Sequence, residues 1–167
     1  MSYTYESWNL KNCAPIFTVE EFNNKRWAIK TNIVATSGGY DPIHPGHISS
    51  IQDSSNYGFV VVIVNGDSFL KAKKGKPFMD LKTRCQIVSS VKNVGCVIPF
   101  EIENDQTVCQ ILKELKPNIF TKGGDRKDIS SIPEWNVCQE NNIRIVTNVG
   151  LDKNWSSSDF LKNWKDS

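Results

Sequence analysis

A chain of 167 residues with 20 basic side chains against 18 acidic ones has room for one domain around one core. Its net charge of +2 gives no bulk field to hold nucleic acid. The opening `MSYTYESWNLKN` is polar and aromatic, unlike a secretory leader, and `FVVVIV` falls far short of the roughly 20 apolar residues of a membrane span. Five scattered cysteines with no C-x-x-C pair fit reduced, mostly buried thiols, so a cytoplasmic setting is expected and a disulfide framework or zinc site is not.

Residues 1–31 read as an N-terminal arm. `TVEEFNNKRW` opens with a capping box, Thr18 to Glu21, which predicts one short helix. The aromatics Trp8, Phe17, Phe22 and Trp27 need a surface, either the body or a neighbouring subunit; a homodimer is expected. From 32 to 167 strands and helices alternate. `NIVATS` (32–37) predicts a strand, followed by a Gly pair and a helix opening near Gly46. `GFVVVIVNGD` (58–67) reads as a strand buried on both faces. The lysine-rich `LKAKKGKP` reads as a mobile loop. In `DLKTRCQIVSSVK`, Leu81, Cys85, Val88 and Val91 share one helical stripe behind Asp80 as N-cap. `VGCVIPF` (94–100) is the third strand. `DQTVCQILKELKPN` places Val108, Ile111, Leu112 and Leu115 at helical spacing, with Pro117 as the stop. `NIFTK` (118–122), a helix around `PEWNVCQE`, `IRIVTNV` (143–149) and a short helix after `SSS` finish the series. This alternation predicts an α/β, Rossmann-like parallel sheet of about five strands with helices on both faces.

Both histidines of the chain lie in `SGGYDPIHPGH`, three residues apart, at the carboxyl end of the first core strand. Ligands of open parallel sheets bind outside that end, where strand order reverses. Gly38 and Gly39 let backbone approach a ligand, and Pro45 suits a helix start. His44 and His47 then lie near the positive end of a helix dipole, in a setting suited to a phosphate that gains charge. Packed or surface histidines, a zinc site and a dinucleotide fold are the alternatives. The second lacks further ligands, and the third lacks G-x-G-x-x-G.

`GGYDPIHPGH` resembles the H-x-G-H signature of the nucleotidyltransferase superfamily. Downstream, `VNGDSFLKAKKGKPFMDLKTRCQIVSSVKNVGCVIPF`, `KPNIFTKGGD` and `WSSSDFLKNW` resemble in order and spacing the adenylyltransferase domain of bifunctional ADP-heptose synthases. Glycerol-3-phosphate cytidylyltransferases are close relatives. The resemblance runs from residue 32 to about 164 and leaves the arm unmatched.

The resemblance implies transfer of a nucleotidyl group from ATP or CTP to a sugar or polyol phosphate, with release of pyrophosphate and Mg2+ accompanying the triphosphate. No direct protein ligands to the metal are assigned. His44 and His47 would hold the triphosphate and stabilise the transition state, with Lys71 and Arg84 as further catalytic residues. The nucleotide would meet Gly38, Gly39, Tyr40, Asp41, Gly46 and Lys74, then Lys122, Gly123, Gly124 and Asp125, then Ser156, Ser157 and Ser158. Glycerol-phosphate cytidylyltransferases carry an arginine in R-T-x-G before the serine–threonine triplet. `NVGLDKNWSSS` has none, only Lys153, and this favours ATP. The `DPIH` start is also similar to nicotinate-mononucleotide adenylyltransferases, whose middle segments do not match `KGGD`. A nucleotide-binding protein that has lost turnover is the non-enzymatic alternative. The kinase half of the bifunctional heptose enzymes has no counterpart here, so another enzyme is expected to make the acceptor phosphate.

Overall fold

The computed structural model describes residues 3–102, 107–124, 128–152 and 154–167. Five strands, β1 (Ile33–Gly38), β2 (Phe59–Asn65), β3 (Val94–Phe100), β4 (Ile119–Gly123) and β5 (Arg144–Val149), form one all-parallel sheet in the order β3-β2-β1-β4-β5. Chain progress reverses between β1 and β4, so a crevice opens beyond their carboxyl ends.

Alternation along the strands sends side chains to two cores. Val61, Ile63, Cys96, Ile98 and Phe120 pack on one face under α5 (Cys109–Leu115) and α6 (Trp135–Glu140). Val60, Val62, Val64 and Val97 pack on the other under α2 (Pro45–Ser54) and α4 (Leu81–Ser89). β2 is buried on both faces, as its unbroken β-branched run predicts. The α4 stripe holds for Leu81, Cys85 and Val88, buried behind Asp80, whose carboxylate accepts the Thr83 amide at 2.8 Å, while Val91 lies beyond the helix end at Ser89 and is half-buried.

The lysine-rich segment is a helix, not a loop. α3 (Asp67–Lys74) turns inward on buried Leu70 and closes at Gly75, whose φ of 91° lies in the left-handed region. Glu101 accepts the amides of Asp67 and Ser68 at 2.7 and 3.0 Å, capping α3 from the end of β3.

The arm packs on its own body. Thr18 and Glu21 form the predicted capping box of α1 (Val19–Lys25). Ile16 bridges Val97 in parallel along the edge of β3, and Phe22 enters the core under α5 beside Phe59. Arg26 donates to the carbonyls of Leu115 and Lys116. α7 (Ser157–Asp166) ends the chain. No helix among the described residues is long and apolar enough to cross a membrane.

Candidate active site

At the switch point lies a crevice of about 490 Å³, lined by the ends of β1 (Thr36, Ser37), β4 (Lys122, Gly123, Gly124) and β5 (Val149) and by the first turns of α2 and α7. Two helix N-termini therefore face one space, a setting that suits an anion.

The two histidines build the α2 entrance. His44 is the N-cap, and its Nδ1 accepts the His47 amide at 3.4 Å; the Nδ1 of His47 accepts the His44 amide at 3.3 Å. This is a capping box made wholly of imidazoles. The rings stack at 3.7 Å between centroids, 17° from parallel. Because each Nδ1 is an acceptor, a neutral ring must carry its proton on Nε2. Burial, then the charges of His44 and Lys73, pull His47 down to about 3, and burial lowers His44 as well. At neutral pH the pair presents two uncharged Nε2–H donors to the crevice.

The first turn of α7 faces them. Ser156 caps it by accepting the Asp159 amide, Ser157 Oγ donates to the Pro42 carbonyl at 2.7 Å, and Ser158 lines the crevice with both. The preceding loop is pinned to α2: Gly150 donates to Asp53 at 2.6 Å and Leu151 to Ser49 Oγ at 2.9 Å. Gly150 sits at φ 90°, and a Cβ there would come within 2.8 Å of the Ser50 amide nitrogen. Only glycine allows that approach. It brings Leu151, Asp152 and Trp155 to the wall.

Of the residues singled out in the sequence, Tyr40, His44, Gly46, His47, Lys122, Gly123, Gly124 and Ser156 to Ser158 come together around this crevice. Lys122 does so with its charge engaged, at 2.9 Å from buried Glu134. Asp125 and Lys153 lie outside the described residues.

Six others are placed elsewhere. Gly38 and Gly39 do not flank the crevice. Gly38 makes room for the folded-back Tyr40 ring, 3.0 Å from where a Cβ would stand, and the Gly39 carbonyl accepts from Arg84 at 2.8 Å. Asp41, 2% exposed, accepts the amides of Phe78 and Met79 and pairs with Lys74, all at 2.7 Å. Both partners of that pair are therefore occupied. Lys71 is exposed and does not line the crevice. Arg84, expected to bridge phosphate oxygens, is 0% exposed. Its guanidinium donates to the carbonyls of Met79, Gly39 and Asn65 and to Asp67.

The lysine of α3 that does reach the crevice is Lys73. Lys73 and Lys74 follow buried Leu70 at i+3 and i+4 and so share its side of α3, with Lys73 still exposed. Reading Asp67–Lys74 as a helix would have found it. Trp155 opens the `WSSSDFLKNW` stretch beside the serines singled out there, and Ser50 and Asp152 have no local pattern that marks them.

A parallel doubly wound sheet with a crevice at its switch point is the α/β, Rossmann-like class, whose ligands sit at that point. Residues 35–162 match the family described as Cytidylyltransferase-like, and the chain belongs to that family, within the nucleotidyltransferase superfamily. It is 36% identical over 98 residues to the Bifunctional protein HldE of Actinobacillus pleuropneumoniae serotype 5b, covering 57% of this chain and 20% of that protein. To HldE of Haemophilus ducreyi it is 34% identical over 136 residues, covering 78% and 27%. The chain thus spans about a fifth to a quarter of the length of these relatives. Among solved structures, the lipopolysaccharide core biosynthesis protein from Thermoplasma volcanium GSS1 superposes with a TM-score of 0.62 at 27% identity, covering 73% of this chain and 99% of that one. A pantoate-beta-alanine ligase from Francisella tularensis shares the fold at 16% identity and a TM-score of 0.61, covering 89% and 73%.

Proposed function

We propose that this nucleotidyltransferase moves an adenylyl group from ATP to a phosphorylated sugar or polyol. An oxygen of the acceptor phosphate attacks the α-phosphorus and forms a P–O bond. The bond from that phosphorus to the bridging oxygen breaks, and pyrophosphate leaves with the electron pair. Such a step needs alignment and charge stabilisation more than covalent help.

The observation that carries this reading is the reciprocal histidine cap. It fixes two Nε2–H donors before substrate arrives, so little reorganisation accompanies charge growth at the α-phosphorus. Amides at the starts of α2 and α7, with Ser156 and Ser158, would hold the β- and γ-phosphates, and Lys73 would add a cation. Gly123 and Gly124 offer flat backbone to the base or ribose.

Magnesium, carried in with the triphosphate, would neutralise its charge. Among the described residues no three His, Cys, Asp or Glu side chains form a metal site, and Asp152 is the one carboxylate lining the crevice. That fits an ion held mainly by phosphate oxygens and water.

Support for a sugar acceptor comes from the likeness to the heptose-type adenylyltransferases and to a protein named for lipopolysaccharide core biosynthesis. The test is pyrophosphate release from ATP, CTP, GTP and UTP, each with a panel of sugar and polyol phosphates. Acceptor-dependent release with ATP is expected. Nucleotide binding without release for any acceptor would make this a binding protein.

A further inference from the structure

Among the described residues six non-glycine residues take a left-handed φ. Four of them are asparagines, which tolerate it well, and all but one are exposed. The buried one is Tyr40, at φ 52° and 4% exposed. A bulky residue keeps such a backbone only where its surroundings over-determine it, and such residues gather at functional sites. What the conformation achieves here is the placement of the ring. It folds back over Gly38, which has no Cβ to obstruct it, and joins the apolar core that holds Ile51, Val62 and Val64. The hydroxyl is within hydrogen-bonding reach of the Thr36 side chain on β1. The ring meets that of His47 edge to face, with 4.9 Å between centroids and 62° between planes. The same imidazole stacks on His44, and its Nδ1 accepts the His44 amide. His47 is thus held by a stacked ring, an angled ring and an anchored nitrogen, and Nε2 is its open end.

Resting on the reading of His47 as a transition-state donor, we infer that Tyr40 is a positioning residue, whose ring sets the angle of the His47 imidazole and shields its flank from water. Tyr40 lines the crevice, but so little of its surface is open that a nucleotide gains little by touching it. An imidazole free to turn would direct Nε2 away from the reacting phosphate for part of the time. A ring locked by its neighbours presents the donor before substrate arrives. The depressed proton affinity of His47, caused first by burial, fits a ring covered on that side. The titratable groups facing it are His44 on its own turn and Lys73 from α3, and Lys122 and Asp152 line the same crevice. None of these is altered in a Tyr40 variant, so a change at His47 reads the loss of the aromatic cover.

The chain has two histidines, so NMR of the full chain resolves both rings. In wild type the His47 ring should show nuclear Overhauser contacts to Tyr40, carry its proton on Nε2 and stay unprotonated down to about pH 4. Tyr40→Phe keeps the ring and should match it. Tyr40→Leu removes the edge contact. It should mix the two neutral tautomers and raise the pH at which His47 takes up a proton by about one unit or more. Pyrophosphate release from ATP, with the best acceptor of the panel above, should fall about tenfold or more in Tyr40→Leu and stay within about threefold in Tyr40→Phe. The Kd of a non-hydrolysable ATP analogue should stay within about twofold in both.

A wild-type His47 that titrates near its ordinary value, or that exchanges freely between tautomers, overturns the inference. So does a folded Tyr40→Leu whose His47 signals match wild type. If the analogue's Kd rises tenfold in that variant while His47 is unmoved, Tyr40 is a nucleotide contact and the inference is again overturned. Tyr40→Met, which fills the space without a ring, replaces Tyr40→Leu should the latter unfold. The histidine reading fails on a separate result, a full rate of pyrophosphate release by His47→Ala, whatever the ring signals of Tyr40→Leu show.

Discussion

Arg84 donates to Asp67 at 2.7 Å while its side chain is fully enclosed, and the same guanidinium gathers carbonyls from the β1 exit, the β2 exit and the start of α4. Three segments distant in the chain are thus held by one fork of donors, a geometry lysine cannot copy.

Arg84→Met should therefore cost stability, about 3–5 kcal/mol, because it strands one carboxylate and three carbonyls. Urea unfolding of variant and wild type measures it. A residue that bridged phosphates would behave in the opposite way, with a large loss of triphosphate affinity and a nearly unchanged unfolding midpoint.

His47→Ala should lower kcat by about 10²–10³, the usual loss for one preorganised transition-state donor. Triphosphate Kd should change only a few-fold, since both helix N-termini remain. Loss of half the capping box should cost about 1 kcal/mol. His47→Asn keeps a short acceptor and a donor, and should fall between Ala and wild type. Steady-state rates, nucleotide Kd and melting temperature on the three proteins decide the matter. A full rate with a large fall in Tm would make His47 a packing residue.

Acid should destabilise the chain through the same side chain. In the folded state His47 takes up a proton only near pH 3, against about 6.5 when unfolded. As pH falls below 6.5 the unfolded state gains a proton that the native state does not, so stability present at neutral pH is lost down to about pH 3. By pH 5 the loss from this group is up to about 2 kcal/mol. His44 acts in the same direction. His47→Gln should unfold with a smaller difference between pH 7 and pH 5 than wild type. Equal differences in the two proteins would contradict the buried neutral state.

Lys73→Ala should raise KM for the triphosphate several-fold, whereas Lys71→Ala should leave it within twofold. The prediction follows from their faces on α3: one lysine lines the crevice and the other points to solvent. Initial rates against triphosphate concentration separate them. A dominant effect at Lys71 would mean that α3 rearranges when substrate binds.

ATP should stabilise the fold more than CTP. No arginine lies between Val149 and Ser156 to grip a cytidine nucleotide in the manner of the glycerol-phosphate enzymes. A tenfold difference in Kd appears as about 1.4 kcal/mol at saturating ligand. Thermal shift with the four triphosphates reads the order, and a CTP optimum would move the chain to the cytidylyl branch.

The sheet was legible because its signals are local. Val60 to Val64 announce a two-faced strand, and Asp80 with Leu81, Cys85 and Val88 announce a capped, one-sided helix. Placing both histidines at the crevice followed from the β1 exit alone. What stayed hidden depends on partners distant in the chain. In sequence Arg84 reads as a phosphate ligand, because nothing near it in the chain shows the carbonyls of Gly39 and Asn65 that accept from it. Asp41 likewise looked available until Phe78 and Met79 were folded back onto its carboxylate. The α3 error differs in kind. A run of lysines before a glycine reads as a solvated loop, and only the burial of Leu70 and the cap from Glu101 make it a helix.

The arm along β3 carries one last consequence. Pro15 and Phe17 exchange backbone hydrogen bonds with Val97 at 2.9 Å, so the outer margin of the sheet is already occupied. Cys96, Val97 and Ile98 are fully enclosed beneath that cover. A fragment cut to the family match at residue 35 would strip it away and bare an apolar strand with unpaired amides, an open template for a strand of another molecule. The stretch outside the family match thus covers the sheet's outer margin, and a chain lacking it is expected to self-associate more than the full chain.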